Sequence, residues 1–258
     1  MDLKIKDQWF LVGGATSGFG KAIAERLLIE DANVFAIARR EEELKILEKK
    51  NPGKIKYLAA DLSQPETLNK INNILEINKF SGILVNAGGP PAMTFLETKT
   101  DDWDAAYRLL LRWKVEIIKL FLPEFIKKGY GRFVFIESSA VKQAIENLVL
   151  SNSLRMAVVG MVKTISQEVA YSGVTLNVMG PGYHDTAAVQ RLFKKKSELE
   201  KISYHEAKDL IINNIPVGEM GNPEDFATLA AWLLSPCSKY ITGQTFSIDG
   251  GAVRGNFG

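Results

Sequence analysis

Gly14-Ala15-Thr16-Ser17-Gly18-Phe19-Gly20 decides the fold of this chain. The segment follows a short apolar run at residues 8–13 and opens an amphipathic stretch at about residues 18–30, so a strand runs through a glycine turn into a helix. Glycines there permit a tight turn and close backbone approach. The helix N-terminus adds unpaired N–H groups and the positive end of its dipole, which suit a pyrophosphate.

Outward from that turn, short apolar runs alternate with longer amphipathic stretches, the pattern of strand–helix–strand units on a parallel sheet. Further strands are expected at residues 33–38, 54–59, 82–86, 132–137, 174–179 and 245–248. Helices are expected at 41–50, at 103–128 with Pro123 placed to bend or end it, at 148–171, and after the Asn222-Pro223 start. Ser63-Gln64-Pro65-Glu66 reads as a capping box for another. No linker, repeat or low-complexity tract interrupts the series. The spacing predicts a single doubly wound, Rossmann-like α/β domain over residues 1–258, with about seven mostly parallel strands and helices on both faces. The least regular region, about 183–216, contains Lys194-Lys195-Lys196 and is expected to form a flap over a ligand.

Composition narrows the partners. Of 258 residues, 46% are apolar and 24% charged, with a formal charge of +2, so nothing favours nucleic acid or a membrane as partner. The single cysteine, Cys237, excludes an internal disulfide framework and fits a reducing cytoplasm. With only two histidines, little material is left for a metal site, and none is expected. The expected ligand is a small molecule.

Five elements in order resemble the short-chain dehydrogenase/reductase family along the whole chain. They are the turn containing Gly14, Thr16, Ser17, Gly18, Phe19 and Gly20; Asp61-Leu62; Asn86-Ala87-Gly88; Pro181-Gly182 with Thr186; and Asp249-Gly250-Gly251. The resemblance implies that Asp61 contacts adenine, that Asn86-Ala87-Gly88 lies beside the adenosine, and that Pro181, Gly182 and Thr186 meet the nicotinamide end. It also implies a homotetramer, with a dimer as the simpler assembly. At the end of the second strand, Ala38-Arg39-Arg40 lacks the acid that would hold a ribose 2′-OH and repel a 2′-phosphate. Arg39 and Arg40 therefore favour NADP(H) over NAD(H), although Glu41 and Glu42 lie close and Thr16 stands where relatives sometimes carry a second basic residue.

The family's catalytic tetrad is asparagine, serine, tyrosine and lysine, and here the chain departs from it. Ser138 matches the serine, thirteen residues before Ser151, with Ser139 as an alternative one residue on. Ser151 and Arg155 stand where relatives carry the tyrosine and lysine, and Leu110, seven residues after Trp103, replaces the asparagine. Ser151 and Arg155 share a helix face, so Arg155 suits the nicotinamide ribose, but a guanidinium stays protonated and cannot relay a proton. His184 is an alternative proton donor. Glu137 is placed to line the cleft or pair with Arg155, whereas Tyr204 and His205 are given no catalytic role. The expectation is an atypical NADP(H)-dependent oxidoreductase acting on a carbonyl or alcohol, similar to 3-oxoacyl-carrier-protein reductases. A catalytically silent nucleotide-binding protein is the alternative.

Overall fold

Alternation along the strands sorts the core into two layers. Phe10, Val12, Val34, Ala36, Leu84 and Val134 face one way; Leu11, Phe35, Ile37, Ile83, Phe133 and Phe135 face the other. A strand whose two faces are both buried needs a helix on each, which is how parallel sheets are built. The computed structural model describes residues 1–256, except the side chains of Asn78, Ala187, Ala188, Arg191, Lys195 and Leu199.

The strands are β1 (Trp9–Gly13), β2 (Asn33–Ala38), β3 (Ile55–Ala59), β4 (Phe80–Asn86), β5 (Gly131–Ile136), β6 (Val174–Pro181) and β7 (Thr245–Ile248). They form one sheet in the order β3-β2-β1-β4-β5-β6-β7. Every pairing is parallel, so the sheet is wholly rather than mostly parallel. Two helices that follow alternate strands, α1 (Gly18–Ile29) and α2 (Glu41–Lys50), join α9 (Pro223–Leu234) in the layer of Phe10 and Val12. The opposite layer holds α3 (Pro65–Ile74), α5 (Trp113–Lys128) and α6 (Val149–Val169).

Three local expectations are corrected. Ser63 does not cap α3: its N–H and hydroxyl both donate to Asp61 Oδ1, at 2.9 and 2.7 Å, and the N-cap falls to Gln64 with Pro65 in the first turn. The helix expected at 103–128 is α4 (Thr100–Tyr107) joined to α5 through a π turn at Arg108–Arg112, and Pro123 sits inside α5 without ending it. Irregularity around 183–216 resolves into α7 (Ala187–Glu200) and α8 (Tyr204–Ile212), the latter opened by a Ser203/Glu206 capping box.

Aromatic rings bind α5 to the sheet. Phe121 is fully buried and meets Phe80 edge-on at 5.7 Å and Phe125 at 5.9 Å. Phe121→Ala is expected to cost about 3–5 kcal/mol, seen as a lower denaturant midpoint with an unchanged slope.

Candidate active site

A cleft of about 690 Å³ opens at the carboxyl ends of the strands, around the point where the sheet order reverses between β1 and β4. Gly14, Thr16, Ser17, Gly18 and Phe19 form part of its wall. Gly14 has a φ of +68°, and a side chain on it would stand 2.8 Å from the Asn86 amide nitrogen. Gly20 serves the turn from behind, since a Cβ there would lie 2.3 Å from the Gly14 carbonyl oxygen. Ser17 caps α1 without a side-chain hydrogen bond, and the first turn holds no acid. The amide donors of that turn therefore remain without a side-chain acceptor, and the positive end of the helix is not offset.

One end of the cleft is basic. Arg40 donates from one guanidinium nitrogen to the Thr16 carbonyl oxygen at 2.9 Å and to its hydroxyl at 3.2 Å, and it also pairs with Glu43 at 2.6 Å. Arg39 is largely exposed and stands 3.9 Å from Asp61. Asp61, Leu62, Asn86, Ala87 and Gly88 line the same cleft. Asn86 is fixed by donating to the Gly13 carbonyl at 3.3 Å.

At the other end, strand parity decides what reaches the floor. Glu137 follows β5 in step with Phe133 and Phe135, so its side chain enters the layer of α5 and α6. There it accepts from Lys114 through Oε1, and from an Arg155 terminal nitrogen through Oε2 at 3.0 Å. Arg155 Nε donates to Ser151 Oγ at 3.1 Å. Lys114 and Glu137 are wholly buried at their side chains and Arg155 nearly so, yet Glu137 and Arg155 line the cleft. Burial pushes the Lys114 ammonium below its ordinary range, while Glu137 pushes it up and Arg155 down. The Glu137–Arg155 pair was within reach of sequence reasoning, whereas Lys114 was missed. Its signal was present: a lysine in the stripe formed by Ile117, Ile118, Phe121 and Phe125, which is the buried face of α5. Leu110 is buried within the π turn, and Leu109 and Trp113 line the cleft beside it. Pro181 and Thr186 complete this end, with Thr186 accepting from Val189 N as the N-cap of α7.

Of the residues singled out in the sequence, Gly20, Ser138, Ser151, Gly182 and His184 do not line the cleft. Ser138 instead accepts from Ala140 N at 3.1 Å and caps the short turn at Ser139–Val141. Gly182 gives close packing, for a Cβ there would stand 2.7 Å from that of Asp249. His184 is corrected as a proton donor: its ring is held edge-on between Phe19 at 5.0 Å and Phe226 at 5.3 Å, with Nδ1 3.3 Å from the Gly182 carbonyl. Among the described residues no cluster of metal-ligating side chains is present, and no helix is long and apolar enough to cross a membrane.

Fold and cleft together define a Rossmann-type α/β domain with a nucleotide-sized site at its switch point. A family described as enoyl-(acyl carrier protein) reductase matches residues 14–253, and the chain belongs to the short-chain dehydrogenase/reductase family. The 3-oxoacyl-[acyl-carrier-protein] reductase FabG of Rickettsia typhi is 30% identical over 245 residues, covering 94% of this chain and 95% of that protein. The enzyme of the same name from Thermotoga maritima is 26% identical, covering 97% of this chain and all of its own. YwfH, an NADPH-dependent reductase involved in bacilysin biosynthesis, superposes with a TM-score of 0.91 at 26% identity, covering 97% of this chain and 100% of its own. A variant of actinorhodin polyketide ketoreductase with NADPH gives a TM-score of 0.90 at 26% identity, covering 96% and 98%.

The caged histidine has a measurable consequence. Burial holds the His184 imidazole below its ordinary 6.5, with the Gly182 carbonyl and Asp249 opposing. The unfolded chain therefore binds more protons than the folded one as pH falls through about 6.5, and stability drops with it. His184→Phe, which keeps a ring between Phe19 and Phe226, is expected to flatten that slope in denaturation midpoints measured across pH.

Proposed function

We propose that this protein is an NADP(H)-dependent oxidoreductase interconverting a carbonyl compound and an alcohol, of the 3-oxoacyl reductase type. The observation that carries the reading is the distribution of cations along one cleft: Arg39 and Arg40 at the end of β2, with no acid there, and Arg155 at the far end, with the glycine turn between them. Its relatives and structural neighbours support the same reading, being named as 3-oxoacyl reductases or as NADPH-dependent reductases.

The residues present fit the cofactor. The uncapped start of α1 takes the pyrophosphate, and Arg39 and Arg40 take a 2′-phosphate through charge-assisted hydrogen bonds. The bound cofactor supplies or accepts a hydride at the nicotinamide ring. Arg155 holds the nicotinamide ribose, since two of its nitrogens are fixed by Glu137 and Ser151 and the third faces Gly89. Ser151 accepts from Arg155 Nε, so its own hydroxyl proton is left to donate to a carbonyl oxygen. Ser138 holds that oxygen from the other side once substrate draws it from Ala140 N. In this reading Ser151, Arg155 and Leu110 replace the family's tyrosine, lysine and asparagine, and water supplies the proton. Residues 183–216, with Thr186 on the cleft wall, act as the flap.

Fluorescence titration with NADPH and NADH, followed by NADPH consumption across 3-oxoacyl thioesters and simpler ketones, tests the proposal. NADPH is expected to bind tighter than NADH. Replacing both Arg39 and Arg40 by Ser should weaken NADPH binding about tenfold or more and leave NADH nearly unchanged. Ser138→Ala is expected to lower kcat by about a hundredfold with cofactor affinity retained. Cofactor binding without turnover on any carbonyl would overturn the enzymatic reading.

A further inference from the structure

Lys114 and Glu137 are left without a role by the cofactor cleft and by the serine pair. Both are buried with Arg155 in a set of two cations and one carboxylate. Buried charges are retained when they are paired, and this set does not balance. Glu137 can neutralise one cation, and one positive charge is left over. Geometry places that excess at the cleft. Lys114 lies in the interior with its ammonium on Glu137 Oε1. Arg155 donates through Nε to Ser151 and through Nη1 to Glu137 Oε2, which leaves Nη2 on the cleft side, 3.6 Å from where a Cβ on Gly89 would stand.

We propose that Lys114 and Glu137 are positioning residues that fix Arg155 and hold the floor of the cleft at a net charge of +1, so that the site selects the reduced cofactor over the oxidised one. The inference rests on the NADP(H) reading above. The dihydronicotinamide ring is neutral and the oxidised ring carries a positive charge, so an uncompensated cation beside it opposes only the latter. Lys114 is what makes the cation uncompensated. Without it, Glu137 and Arg155 would cancel, and the floor would be indifferent to the ring's charge. The bias runs toward carbonyl reduction.

The test is the ratio of the dissociation constant of NADP⁺ to that of NADPH, measured by titration of the full-length protein. One elementary charge several ångströms away in a partly buried site is worth about a tenfold change in that ratio. Lys114→Met brings the floor to zero and is expected to lower the ratio about tenfold. Glu137→Gln raises the floor charge and is expected to increase the ratio by a similar factor. The double variant Lys114→Met/Glu137→Gln returns the charge to +1 and should restore the ratio to within about threefold of the native value. A purely structural role predicts something else: both affinities fall together, the ratio stays put, and the double variant is worse than either single one. A ratio that is unmoved, or that moves the same way in both single variants, overturns the proposal. Should Glu137→Gln fail to fold by circular dichroism, Lys114→Met and the double variant still decide it. Native protein that binds neither form of the cofactor defeats the NADP(H) reading itself, whereas native binding with an unmoved ratio defeats only this inference.

Discussion

Glu137 accepts Lys114 from α5 with one carboxylate oxygen and Arg155 from α6 with the other. Standing just past the end of β5, it fastens the two longest helices of one layer to the sheet at the height of the cleft. Such an arrangement is weak as a source of net stability, because desolvating the charges offsets their attraction, but removing one partner typically costs about 3–5 kcal/mol. The set therefore acts as a geometric lock. It tolerates little change in the spacing of α5, α6 and β5, and the side chains at that end of the cleft inherit their positions from it.

The two ends of the cleft are built on different principles. At the β2 end, Arg39 and Arg40 are exposed on a loop rim, and Arg40 is steadied by Thr16 and Glu43. Arg40 thus brings its guanidinium across to the place where Thr16 itself offers no charge. Exposed cations of this kind hold a phosphate but are screened by salt. At the β5 end the charges are enclosed, so screening is slight and their effect on a bound ring persists.

Legibility followed the range of the forces involved. The glycine turn, the parity of the strands and the order of the elements are local patterns, and the sheet and its helix layers could be read from them. The Ser63 capping box failed because Asp61, two residues earlier, competes for the serine hydroxyl, and a local rule does not weigh that rivalry. His184 failed because its surroundings come from α1 and α9, far away in sequence. Lys114, Glu137 and Arg155 were each visible as a charge on an apolar stripe. Their mutual pairing was only partly so, because it depends on the rotation of α5 against α6, which no stripe specifies. The π turn that sets this rotation left no readable mark in Arg108-Leu109-Leu110-Leu111-Arg112.

That turn also sets a rule about length. A π turn accommodates one residue more than an α-helical turn would, and losing one residue would rotate everything beyond it by about 100°. Lys114 would leave Glu137, and the polar face of α5 would swing into the aromatic layer of Phe80 and Phe133. Within Arg108–Arg112 many side-chain exchanges are therefore compatible with the fold, while a single-codon deletion is not. Drift at this site is constrained in the reading frame of structure before it is constrained in chemistry.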